Sequence, residues 1–355
     1  MLSKQSVENP RDQAILVEII HFYLERQEAI SARTLSKISR LSLSPTTIRN
    51  LMEDLSHEGF LTTEGVSRGR IPTQKAFATY VSELADLRRT PRKDRKAMEM
   101  EWKEQPNDLW EVLDRVGRQI AEQSGFIAVC SLPEKEEYPL DWVRLVPVEP
   151  GLVLVAVRSL FGDLWCKVLE AADPFPEEVL KEVEGYICRT YHGRPVRIIR
   201  SDIMSGTPKE LMENIHSLGS AFRLLRNAFD WREERGWHVW GRENLYRIRE
   251  FQQSEQILSF HRALEDADLL TAVLAGGRQV EGSLVAIGTE TAYPGLESSS
   301  VVAFPFSSGD GWTGTIAVLG PMRMDYSLVF QLVSQAAATL EHHLRALSLR
   351  PGPCD

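Results

Sequence analysis

Near the start of the chain, apolar residues recur at helical spacing. Ile15, Ile19, Phe22 and Tyr23 define one face of a helix over Arg11–Arg26. Ala29-Ile30-Ser31 is a short extended piece, and Ser31 is placed to N-cap a second helix over Ala32–Arg40. A turn follows at Leu41-Ser42-Leu43. Ser44-Pro45 then supplies an N-cap and a first-turn proline, opening a third helix that reaches about His57 and ends at Gly59. Ile48, Leu51, Met52 and Leu55 form its packing face. Phe60–Thr63 predicts a strand, Glu64–Arg70 a turn and Ile71–Thr73 the return strand, before a helix over Thr73–Leu87. Three short helices followed by a hairpin outline a winged helix-turn-helix.

The pattern breaks at the basic, proline-containing run Arg88–Lys96, which predicts a linker. Asp108–Ser124 is amphipathic, with Leu109, Leu113, Val116 and Ile120 aligned. Strands are expected at Phe126–Ser131, Trp142–Pro147, Leu152–Arg158 and Leu164–Leu169. After Asp173-Pro174-Phe175-Pro176 the pattern turns mainly helical: a helix over Glu177–Tyr191, a short strand at Val196–Arg200, and one or two helices over Pro208–Glu234. From Val239 mixed elements resume, with a helix around Glu255–Ala275, strands at Ser283–Ile287, Ser300–Phe306 and Thr313–Leu319, and a last helix over Tyr326–Leu347. The fold class is therefore multi-domain α+β, with a helical stretch inserted between two mixed segments.

Composition is ordinary for a globular chain, at 43% hydrophobic and 26% charged residues. No run reaches the ~20 apolar residues a membrane helix needs, and no secretory leader is expected from the first residues. Cys130, Cys166, Cys188 and Cys354 lie far apart, as reduced thiols of a cytoplasmic protein do. The net charge of −9 is unevenly placed. Residues 1–90 hold 12 basic against 11 acidic side chains, and within them Ser31–Lys75 holds 7 against 4. A mildly basic head thus precedes an acidic body.

The third helix carries the chemistry. Its N-terminal half shows Thr46, Thr47, Arg49 and Asn50, with no acid before Glu53. Arg49 can bridge guanine O6 and N7 or clamp a phosphate, Asn50 can pair with adenine, and the threonines can meet phosphate or a thymine methyl. Ser44 opens the same end. In the hairpin, Ser67, Arg68 and Arg70 can reach flanking phosphates or a narrow minor groove. A solvated amphipathic helix and a surface hairpin with incidental arginines are the plainer alternatives. Enzyme signatures are missing: the sequence has no G-x-x-x-x-G-K-[ST] or H-E-x-x-H. His342 and His343 are adjacent on a helix, about 100° apart, and make a poor metal pair. No cofactor, metal or catalytic residue is expected.

Ser44-Pro45-Thr46-Thr47-Ile48-Arg49-Asn50-Leu51-Met52-Glu53-Asp54-Leu55, Gly59-Phe60-Leu61 and Ser67-Arg68-Gly69-Arg70-Ile71-Pro72-Thr73 resemble the N-terminal domain of the heat-inducible transcription repressor HrcA family. Farther on, Gly241-Arg242-Glu243-Asn244-Leu245 with Glu250-Phe251, Ile287-Gly288-Thr289-Glu290 and Gly320-Pro321-Met322-Arg323-Met324-Asp325-Tyr326 resemble the same family's G-x-x-N-L-L…E-F, I-G-x-E and G-P-T-R-M-D-Y segments. Glu64-Gly65, Arg68, Ala76-Phe77-Ala78 and Met322 depart from the family's usual residues. The resemblance implies a winged helix (1–88), a linker (89–107), a GAF-like domain in two parts (108–172 and 239–348), an inserted dimerising domain (173–238) and a tail (349–355). It also implies a homodimeric repressor of chaperone genes that binds an inverted-repeat operator in double-stranded DNA and is tuned by temperature and the chaperonin GroEL. The alternative is a one-component regulator gated by a small effector in the GAF-like domain. In the last signature Asp325 is placed to cap the final helix, and Arg323 to pair with Asp325 or Glu290.

Overall fold

The computed structural model describes residues 9–63, 69–87, 106, 108–171, 174–205, 225, 235–251, 254–266, 268–280, 282–309 and 312–348. Its architecture is mixed α+β, with three sheets among the described residues. The first helices are α1 (Pro10–Arg26), α2 (Ala32–Ile38) and α3 (Pro45–His57). A two-stranded antiparallel ribbon, β1 (Leu61–Thr63) and β2 (Arg70–Pro72), separates them from α4 (Gln74–Leu87). Ile15, Ile19, Leu35, Ile48, Met52, Leu55 and Phe77 make the shared core of this unit.

The central body is a six-stranded antiparallel sheet. Its strands are β3 (Ile127–Glu134), β7 (Arg235–Trp240), β8 (Arg278–Val280), β9 (Ser283–Ile287), β10 (Ser299–Ser307) and β11 (Thr313–Pro321), in the order β7-β3-β11-β10-β9-β8. The inner strands are apolar on both faces, which requires a layer on each side. β3 sends Ala128, Cys130 and Leu132 towards α5 (Leu109–Ser124) and the last helix, α10 (Tyr326–Ser348). It sends Ile127 and Val129 to the other face, against α8 (Ser254–Glu265) and α9 (Leu269–Ala275). The single helix expected around Glu255–Ala275 is thus two helices, with the break at Asp266, whose backbone turns back to Ala263.

A separate three-stranded sheet, β4 (Leu140–Glu149), β5 (Leu152–Ser159) and β6 (Leu164–Glu170), has its own core with α6 (Glu177–Tyr191) and α7 (Val196–Ser205). The expected first part of the GAF-like domain includes these strands, but here they pair only with one another among the described strands. Alternation alone identifies a strand, not its sheet. The strand expected at Val196–Arg200 is instead the start of α7. Val196, Ile199 and Ile203 are buried, a helical spacing that a five-residue window cuts short. The helices expected over Pro208–Glu234 and the linker at 89–107 lie almost wholly outside the described residues.

The far signatures hold corners of the body. Asn244 is buried and donates to the carbonyls of Ala121 (3.1 Å) and Phe126 (2.9 Å), tying the turn after β7 to the end of α5. Asp325 accepts from Leu328 N at 3.0 Å, capping α10. Arg323 pairs with Glu250, while Glu290 pairs with Arg278. The expected Arg323 partners, Asp325 and Glu290, are thus committed elsewhere: one to a helix cap, the other to a different arginine. Among the described residues no helix is long and apolar enough to cross a membrane.

Candidate nucleic-acid interface

Local chemistry fixes each end of the first three helices. Asn9 caps α1 by accepting from Arg11 N (3.0 Å), and Ser31 caps α2 by accepting from Thr34 N (3.2 Å). Ser44 caps α3 by accepting from Thr47 N at 3.1 Å, with Pro45 in the first turn where no amide hydrogen is required. At the far end of α3, Phe60 N donates to Leu55 O (2.8 Å) and Gly59 N to Ser56 O (3.1 Å). This reciprocal pattern needs a left-handed residue, and Gly59 supplies it at φ +81°.

These caps divide the expected contact residues into two kinds. The Ser44 hydroxyl is committed to the cap and to the Thr47 hydroxyl at 2.8 Å, so Ser44 and Thr47 build the helix end. Thr46, Arg49 and Asn50 are exposed, leaving a hydroxyl, a guanidinium and an amide open to solvent. The first turn of α3 carries no acid, so its positive dipole end is unopposed there. Acidic residues gather at the other end of the helix. Burial and the nearby Asp54 push the Asp12 carboxyl above its ordinary value. α3 is therefore anion-friendly at its start and anion-repelling towards its end.

The ribbon is tied to the helices by its own backbone. Arg70 pairs with Thr63 across the ribbon and also bridges to Ile30, with Ile30 N to Arg70 O at 3.0 Å and Arg70 N to Ile30 O at 2.9 Å. Gly69 sits against Ala29, where a Cβ would lie 2.7 Å from the Ala29 Cβ. Only a residue without a side chain lets the strand run this close. Arg70 is half-buried. Ser67 and Arg68 lie outside the described residues.

One further set of side chains went unnoticed in the sequence. Arg33 and Lys37 are exposed one turn apart on α2, the helix that packs on α3. A basic pair at i, i+4 without an intervening acid was the available signal.

Comparison with known proteins adds a second line of findings. The profile of the family described as "HrcA protein C terminal domain" matches residues 110–330. A heat-inducible transcription repressor HrcA of Pelotomaculum thermopropionicum is 26% identical over 337 residues, covering 95% of this chain and 97% of the relative. The protein of the same name from Geobacter sulfurreducens is 27% identical, covering 92% and 95%. Among solved structures, one described as a hypothetical protein at 2.2 Å resolution shares the fold with a TM-score of 0.63. It is 22% identical and is covered over 98% of its length by 96% of this chain.

Proposed function

The chain belongs to the HrcA family, and from that premise we propose that it is a heat-inducible transcription repressor. In this reading residues 9–87 form a winged helix-turn-helix that enters DNA with the N-terminal half of α3. The observation that carries it is the first half of α3: Thr46, Arg49 and Asn50 exposed, no acid in the first turn, and a scaffold capped at both ends beneath them. Arg49 and Asn50 read base edges, while Thr46, Arg33, Lys37 and the wing arginines Arg68 and Arg70 meet phosphate.

The acting unit is a homodimer on an inverted repeat. What supports this is the outward face of the β4-β5-β6 sheet. Val146, Val148, Leu164 and Val168 there are 46–58% exposed, an apolar patch with no partner among the described residues. We place the dimerising insertion over this sheet together with α6 and α7, and the GAF-like domain over α5, the six-stranded sheet and the helices on its two faces. Cytoplasmic chaperone-gene operators as targets, and tuning by heat and the chaperonin GroEL, follow from the family resemblance.

Selection of bound DNA from a random pool by the full-length chain tests the function. An inverted repeat is expected, and recovery of unrelated sequences refutes it. Arg49→Ala should weaken specific binding by about 1–3 kcal/mol and relax one position of the site. Arg70→Ala should weaken binding to all sequences and flatten its salt dependence.

A small effector is the second reading, favoured by one observation. The Tyr138 hydroxyl and the Trp312 indole nitrogen are buried without a hydrogen bond among the described residues, their rings 5.8 Å apart. A metabolite that raises the melting temperature and changes operator affinity would establish it. Chaperonin-dependent operator binding with no metabolite response would exclude it.

A further inference from the structure

The reading unit and the body meet along a seam built from the first turn of α4 and two body segments. On the reader side, α4 begins where α3 is anchored. The Thr73 hydroxyl donates to Gly59 O at 2.8 Å, Thr73 N donates to Phe60 O at 2.9 Å, and Lys75 Nζ donates to Glu58 O at 2.8 Å. The C-terminal end of α3 is thereby clamped to the start of α4. The next residue, Gln74, crosses to the body. Its amide nitrogen donates to the Thr289 hydroxyl at 3.1 Å, and its amide oxygen accepts from Thr289 N at 3.1 Å.

The body side is shaped to receive this contact. Gly288 stands at φ +58°, and a Cβ there would lie 2.4 Å from the Gln74 amide oxygen, so the glutamine occupies the space a side chain would take. Arg278 donates to Ala78 O at 3.3 Å from one nitrogen and pairs with Glu290 through another. Glu290 in turn accepts from Ile287 N at 3.1 Å, which holds the 287–290 turn. One turn along α4, Phe77 packs on Tyr326 with ring centroids 6.3 Å apart. The buried Tyr326 hydroxyl donates to Met322 O at 2.7 Å and meets the Ser300 hydroxyl at 2.8 Å. The apolar core runs through the seam without interruption, since Phe77 and Tyr326 belong to one buried cluster.

Two short links thus join the body to the reading helix: body to Gln74 and Phe77, then Thr73 and Lys75 to the end of α3. We infer that Gln74, Phe77, Arg278 and Thr289 are positioning residues for operator recognition, which fix the pitch of α3 against the body and so set the half-site spacing the dimer accepts. This rests on the reading of the chain as a DNA-binding dimer. The consequence is geometric. One added base pair between half-sites rotates a groove by about 34° and moves it about 3.4 Å, so a rigid seam rejects it and a loose one follows it.

The experiment uses the full chain and a series of DNAs carrying the selected inverted repeat with its centre shortened or lengthened by one and by two base pairs. A single half-site serves as the reference, and affinities are read by fluorescence anisotropy. Gln74→Ala removes both amide bonds from a half-buried surface position, and Thr289→Val removes the hydroxyl from the body side while keeping the shape. The native chain should prefer one spacing sharply. Each variant should weaken that preference by about tenfold, with single half-site affinity unchanged. Native binding with sharp spacing preference that both variants retain overturns the seam. A loss of half-site affinity with the spacing ratio intact overturns it too, because the residues would then act only on the reader's own fold. A native chain that binds no DNA, or binds every spacing alike, refutes the dimeric reader itself and not the seam alone.

Discussion

Gly69→Ala is the most exacting test of how the ribbon is held. The new Cβ would stand 2.7 Å from the Ala29 Cβ, 3.0 Å from its carbonyl carbon and 3.1 Å from its oxygen, where ordinary contact begins at 3.4 Å. Relief requires the strand to retreat by roughly 0.7 Å, because Ala29 is backbone-bound and no flexible side chain can yield. That retreat pulls directly on the Ile30–Arg70 bridge, whose bonds are 2.9 and 3.0 Å and would stretch past the useful range. Overpacking of this kind costs about 1–3 kcal/mol, and loss of the bridge about 1 kcal/mol per bond. The reader should therefore lose about 3–5 kcal/mol of local stability, and Arg70 its fixed place. Native-state hydrogen exchange should show faster exchange at Ile30 and Arg70, with the six-stranded sheet unaffected, and operator affinity should fall about tenfold. Gly59→Asn is the control. Gly59 has nothing within 4 Å of its Cβ position, and asparagine accepts its positive φ, so the effect should be small. Unchanged exchange and affinity in Gly69→Ala would refute the close approach of ribbon and Ala29.

Three other outcomes follow. Val168→Asp places a charge on the outward face of β6, where the side chain is 54% exposed, and should convert the dimer to monomer in sedimentation without changing the circular dichroism; an unchanged dimer would move the interface elsewhere. Arg323→Ala should cost about 3 kcal/mol in urea unfolding because it strands Glu250, whereas Arg323→Met should cost clearly less by restoring packing beside Met322 and Met324. Equal losses in the two variants would show that the stranded Glu250, not packing, decides. Burial, with repulsion from Lys135, holds the His238 imidazole below its ordinary 6.5. The unfolded chain then protonates first as pH falls, so stability is lost below 6.5 and kept above it. His238→Gln should flatten that decline between about pH 7.5 and about pH 5.5.

The helices of the reader were legible because each carries its own start and stop. Ser31, Ser44 with Pro45, and Gly59 mark boundaries through bonds to neighbours within a few residues. The strands of the six-stranded sheet were legible for a similar reason, since β10 and β11 are long apolar runs bounded by turns. What escaped was partnership. β4, β5 and β6 alternate as any half-buried strand does, and nothing local says that they form a sheet of their own on α6. The α7 segment carries a β-branched run, and its helical burial pattern emerges only over ten residues. The partner of Arg323 was likewise beyond reach, because Glu250 lies 73 residues away and Asp325 and Glu290 offered nearer carboxylates.

The candidate site shows the same division at the level of chemistry. Residue type placed eight polar side chains on the start of α3 and on the ribbon, but type alone does not separate builders from readers. Ser44 and Thr47 spend their hydroxyls on the helix end, and Thr46, Arg49 and Asn50 are left to the solvent. The far signatures divide in the same way. Asn244, Arg323 and Asp325 hold corners of the body, whereas Gly288, Thr289, Glu290 and Tyr326 gather where α4 arrives. A structural corner and a functional contact are therefore not competing descriptions of those residues. A turn braced by Glu290 and Arg278 is rigid enough to carry Gln74, and what Gln74 carries is the end of α3. Under the proposed function, rigidity in the body becomes accuracy at the DNA, relayed through a hydrogen bond between residues 215 apart in the chain.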